Sequence, residues 1–214
     1  MPLAGGSPYN GGMTSASGPQ WLITEDASRS VLVALYLRQA LALRSPDELP
    51  LLRDLTLAPP SRGDEEQALL ERQWREYWAM TVEPQAHPSP SPLELVDGFE
   101  TYVALPVDGC GELRAAIGPH AEASLAYSAT AHSAYRARRS GTGSAYRAYA
   151  SVIAEHERQV GRRAHSFELN VQILPLAQRG LWWIGSLTIA VTDTLRSDVV
   201  AFDHAIHPII AELA

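Results

Sequence analysis

The chain has 214 residues, 46% of them apolar and 19% charged, with a net charge of −7. That composition excludes wholesale disorder, and the acidic balance argues against a general nucleic-acid or acidic-membrane binder. All 17 basic residues counted as lysine or arginine are arginine, and the single cysteine, Cys110, excludes an internal disulfide or a thiolate zinc site. The longest apolar run, Val31 to Leu37, is far short of the roughly 20 residues that span a bilayer. Residues 1–20 lack the basic and apolar regions of a secretory signal, so a cytoplasmic location is expected.

Residues 1–20, rich in Gly and Pro, read as a disordered tail, with Met13 as an alternative start. Thr24 followed by Glu25 and Asp26 reads as the capped start of a first helix, which Ser45-Pro46 stops. Between Val31 and Leu43 only Arg38 and Gln39 are polar, so this helix must be buried on most sides, in the core or against a partner chain. A second helix starts near Ser61. It places Leu70, Trp74, Tyr77 and Trp78 on one face, opposite Glu71, Arg72, Arg75 and Glu76. Helical spacing makes that aromatic stripe a packing surface rather than a ligand wall.

The segment 83–92 holds four prolines and reads as a linker between a helical segment, 21–82, and an α+β domain, 93–214. Phe99, Thr101, Val103 and Leu105 alternate with Glu100, Tyr102 and Ala104, predicting a strand. An Ala-rich helix over 112–138, interrupted at Gly118-Pro119, and a second over 144–163 form an antiparallel helical hairpin. Phe167, Leu169, Val171 and Ile173 alternate with polar residues, as do Leu187, Ile189 and Val191. With the turn at Ala177–Gly180, these predict an antiparallel hairpin. A last helix begins at Ser197. The order from residue 93 is thus β-α-α-β-β-α. The expected fold is an α+β antiparallel sheet of three or more strands, with helices packed on it and two N-terminal helices before it.

The sharpest candidate for chemistry is a basic segment. Residues 134–163 carry 7 Arg against 2 acids (+5), whereas residues 1–133 carry 8 Arg against 17 acids (−9). Within it, Arg138 and Arg139 run into a Gly/Ser loop containing Thr142, Gly143 and Ser144, with Arg147 on the next helix. Arginine forks match phosphate oxygens, and a glycine-rich helix start exposes backbone N–H groups to an anion. The loop matches neither common phosphate-binding glycine motif and sits between helices. A solvated helix turn is the simpler account of it.

His120-Ala-Glu122 lacks the cysteines of a zinc deaminase, and His156-Glu157 lacks the second histidine of a zinc protease helix. His204 and His207 lie three apart beside Asp203, but no remote third ligand is evident, so no metal or other cofactor is assigned. Trp182-Trp183 places a large ring on each side of a strand, and Leu176 and Leu181 add apolar surface nearby. Something must cover that end.

Three functional readings follow. The first is a non-catalytic interaction or assembly module, acting through a protein partner or as a homodimer, with Leu176, Leu181, Trp182 and Trp183 at the contact. The second is a protein binding a phosphorylated small molecule or a nucleic-acid backbone through Arg138, Arg139 and the 140–144 loop. The third is a metal-dependent hydrolase using His204 and His207.

Overall fold

The computed structural model describes residues 21–58, 60–140 and 145–214, without the side chains of residues 140 and 145–147. The tail 1–20, Thr142, Gly143, Ser144 and the Arg147 side chain therefore lie outside the described residues. The chain is α+β. Its order is β1 (Trp21–Asp26), α1 (Arg29–Ala40), α2 (Asp64–Val82), β2 (Leu93–Leu95), β3 (Ala104–Pro106), α3 (Gly111–Ile117), a short 3-10 turn (Gly118–His120), α4 (Ala121–Ser140), α5 (Ala145–Val160), β4 (Phe167–Leu174), β5 (Leu181–Trp183), β6 (Thr188–Thr192), α6 (Asp193–Arg196) and α7 (Val199–Leu213). No described helix is long and apolar enough to cross a membrane.

The main sheet overturns the expected antiparallel one. It has four strands in the order β1-β4-β6-β5, with β1, β4 and β6 parallel and only β5 antiparallel to its neighbour. β2 and β3 form a separate antiparallel pair. Two stretches of ambiguous local sequence account for the difference. First, Thr24-Glu25-Asp26 imitates a helix cap, but these residues are the end of an edge strand paired with Asn170, Val171 and Gln172. Helix α1 starts only at Arg29, after Ser28.

Second, β4 does not turn back on itself at Ala177–Gly180. Beyond β4 the chain is held by residues 51–53: Arg53 N–H donates to the Pro175 carbonyl, and Ala177 N–H donates to the Leu51 carbonyl. It passes to the far edge, forms β5, and returns as β6 between β5 and β4. The turn that makes this return is organised from outside. Glu83, just past α2, accepts from the backbone N–H of Ser186 and Leu187 and from the hydroxyls of Ser186 and Thr188. A Cβ at Gly185 would stand 2.5 Å from the Glu83 carboxylate, so a side chain there would push that carboxylate off its donors. The strand expected from Phe99 is shorter, with Phe99 buried in the turn between β2 and β3.

Helix α1 is buried nearly all round, as its composition demands, but the cover comes from this chain. It packs on α4 and α2, with Tyr36 5.7 Å from Tyr127 between ring centroids. Its buried Arg38 donates through Nη2 to the carbonyls of Arg44 and Pro46, which ties down the following loop. On the sheet, the register puts Ile23, Glu25, Leu169, Val171, Ile189 and Val191 on one face. Tyr149 of α5 reaches Glu25 on that face and packs edge-on against Phe202 of α7. The opposite face meets the start of α1, where Ser28 N–H donates to the Gln172 side chain.

Burial alone would raise the Glu83 carboxyl, but its backbone and hydroxyl donors outweigh that and hold it below the ordinary glutamate range. Glu83→Ala is therefore expected to lower stability by about 3 kcal/mol, a fall of roughly 6–12 °C in Tm. A depressed carboxylate contributes above its unfolded pKa and stops contributing as pH falls through its folded one. The gap between the two proteins should accordingly be full at neutral pH and shrink in acid, which urea denaturation at several pH values measures.

Candidate functional site

Parallel strands bring their carboxyl ends to one edge of a sheet, where open α/β sheets commonly take ligands. Here Glu25 is the penultimate residue of β1, Ile173 is the penultimate residue of β4, and Asp193 directly follows β6. These three border a cavity of about 310 Å³ whose other walls are Tyr135, Arg138 and Arg139 of α4, Arg196, Ser197 and Val199.

Each carboxylate is fixed by arginine. Asp193 accepts a bidentate pair from Arg53, Nη1 to Oδ1 at 3.1 Å and Nη2 to Oδ2 at 2.9 Å. It also accepts Arg138 Nη1 at 2.7 Å. The side chain of Asp193 is only 6% exposed. Burial would raise its carboxyl, but the hydrogen bonds and charges of Arg53 and Arg138 carry it below the usual aspartate range. Glu25 accepts Arg196 Nε on both oxygens, at 3.1 and 3.0 Å, and the Tyr149 hydroxyl at 3.1 Å.

Because Glu25 engages Arg196 through Nε, the two Nη groups of that guanidinium are left to face other acceptors. The same guanidinium lies 4.6 Å from the Phe202 ring centroid, so its plane is held from a second side. Tyr135 donates to the Glu25 backbone carbonyl. Burial and the Glu25 charge push its phenol up, against the opposing pull of Arg139.

The structure thus gathers Arg138 and Arg139 with Arg196, Glu25 and Asp193, residues the sequence did not single out. Along the cavity three arginines meet two carboxylates, an excess of one positive charge, and Arg53 behind Asp193 is shared with Asp54. The remaining candidates lie elsewhere. His204 and His207 share a shallow cleft with Glu155, yet no group of three or more metal-ligating side chains is found among the described residues. His156 is buried on α5, and its Nε2 lacks a hydrogen-bond partner among the described residues. Cys110 is buried, and burial followed by the nearby Glu76 charge raises its thiol. At the tryptophan pair, Leu176 is buried and bridged to Leu52, Leu181 and Trp182 pack partly buried on the core, and Trp183 is 37% exposed. Comparisons of the chain with protein-family models, curated proteins and solved structures found no match.

The two arginines on Asp193 are unequal. Asp193→Ala removes the carboxylate that Arg53 and Arg138 share and is expected to lower stability by about 2–3 kcal/mol. Arg138→Ala keeps the bidentate Arg53 partner, and with Arg138 half exposed it should lower stability by less than about 1 kcal/mol. Chemical denaturation of both variants at neutral pH gives the comparison.

Proposed function

We propose that this protein binds a phosphorylated small molecule in the cavity at the carboxyl ends of β1, β4 and β6. The observation that carries the reading is the convergence of Arg138, Arg139 and Arg196 on one cavity of about 310 Å³. A phosphate monoester carries about −1.5 to −2 at neutral pH, opposite in sign to the net charge of the site. Arginine forks are suited to its oxygens. The cavity is at the small end of the ordinary ligand range of about 300–1,000 Å³, which favours a compact metabolite over a dinucleotide or a nucleic-acid backbone.

The reading as an interaction module draws less support from the same structure. The apolar surface of α1 and most of that around Trp182 is covered within the chain, leaving Trp183 as the main exposed ring there. A metal-dependent hydrolase has a histidine pair and Glu155 along one cleft, without a third ligand grouped with the pair among the described residues.

Isothermal titration with propyl phosphate at low salt is the test. Wild-type protein should bind it, and the double variant Arg138→Ala plus Arg139→Ala should bind roughly a hundredfold more weakly. Binding should also weaken as salt screens the charges. Unchanged affinity in the double variant would remove the reading.

A further inference from the structure

The carboxylates of the cavity constrain the rest of the ligand. Both oxygens of Asp193 are occupied by Arg53, one of them also by Arg138, and the side chain is nearly enclosed. Glu25 is different. Its Oε2 takes both Arg196 and Tyr149, whereas Oε1 takes only a share of the bifurcated Arg196 Nε–H. A carboxylate offers about four lone-pair sites, so Oε1 retains room for another donor. Ser197 also borders the cavity, and its hydroxyl proton is directed to the Asp193 carbonyl, which leaves the oxygen's lone pairs as acceptors. Ile173 and Val199 supply apolar wall. Away from its arginines, then, the cavity is equipped to accept hydrogen bonds.

The donor that suits it is neutral. Arg196 already balances Glu25, and Arg53 with Arg138 balances Asp193. Among the described residues lining the cavity no carboxylate is left without an arginine to favour an ammonium, which would in addition approach Arg139 and Arg196. We infer that the ligand is a hydroxylated phosphate monoester, with its phosphate on Arg138, Arg139 and Arg196 and a hydroxyl donating to Glu25 Oε1. This rests on the anion-site reading above. It makes Glu25 the residue that discriminates among phosphate esters, in addition to positioning Arg196.

The test compares three probes of similar size on the full chain by isothermal titration: propyl phosphate, glycerol 3-phosphate and phosphoethanolamine. Glycerol 3-phosphate should bind about tenfold more tightly than propyl phosphate, the worth of one hydrogen bond to a charged acceptor. Phosphoethanolamine should show no such gain. Glu25→Gln, checked for folding by thermal unfolding, should narrow the preference for glycerol 3-phosphate. Equal affinities of wild-type protein for propyl and glycerol phosphates would overturn the inference while leaving the anion site standing. Tighter binding of phosphoethanolamine than of glycerol 3-phosphate would overturn it in favour of an ammonium ligand. Failure of all three probes to bind would remove the anion site and the inference together.

Discussion

The pairing of Trp21–Asp26 with Phe167–Gln172 is the constraint on which the rest of the molecule depends. Parallel partners cannot be joined by a tight turn, so all of the chain from α1 to α5 becomes the crossover between two neighbouring strands. That crossover has to cover the sheet, because strands in a parallel arrangement are ordinarily buried on both faces. It does so with α5 joining α7 over the face of Glu25, while α1 starts on the opposite face. With β6 also parallel to β4, the three strands run in one direction, which brings Glu25, Ile173 and Asp193 to a common edge.

At that edge the arginines and carboxylates form two linked ion-pair groups rather than a scatter of surface charges. Arg53 comes from the connection after α1, Arg138 from α4 and Asp193 from the end of β6, so one carboxylate fastens three separated parts of the chain. Glu25, Arg196 and Tyr149 do the same for β1, α6 and α5. Removing charge from water is costly unless the partners are well placed, and here each carboxylate has at least two donors. The arrangement holds guanidinium groups at a cavity mouth without leaving a buried charge uncompensated.

Much of the helical framework was legible. The i, i+4, i+7 and i+8 spacing of Leu70, Trp74, Tyr77 and Trp78 marked α2, and the nearly unbroken apolar sequence of α1 announced its burial. The alternation of Phe167 to Ile173 marked β4. Partnership was not legible, because a parallel pair leaves no turn signal and its register is set by residues far away in sequence. Thr24-Glu25-Asp26 suits a strand end as well as a helix start, and only the tertiary contact with β4 decides between them. Likewise, nothing local in Ile184–Leu187 shows that Glu83 will bind its backbone. Of the site, Arg138 and Arg139 stood out by charge density, while Arg196 and Glu25 stood in unremarkable surroundings and acquired meaning only from each other.

The burial of α1 also bears on how the protein is made. During synthesis α1 emerges well before α4, its principal cover, and before β4, the partner of the strand that precedes it. At roughly 5–20 residues per second, this helix, buried nearly all round in the folded chain, waits several seconds for its cover. Over that interval the nascent chain presents a greasy segment with no native place to go. Glu25 and Asp26 just before it and Asp47, Glu48 and Asp54 just after it are the acidic residues nearest in sequence to keep it in solution.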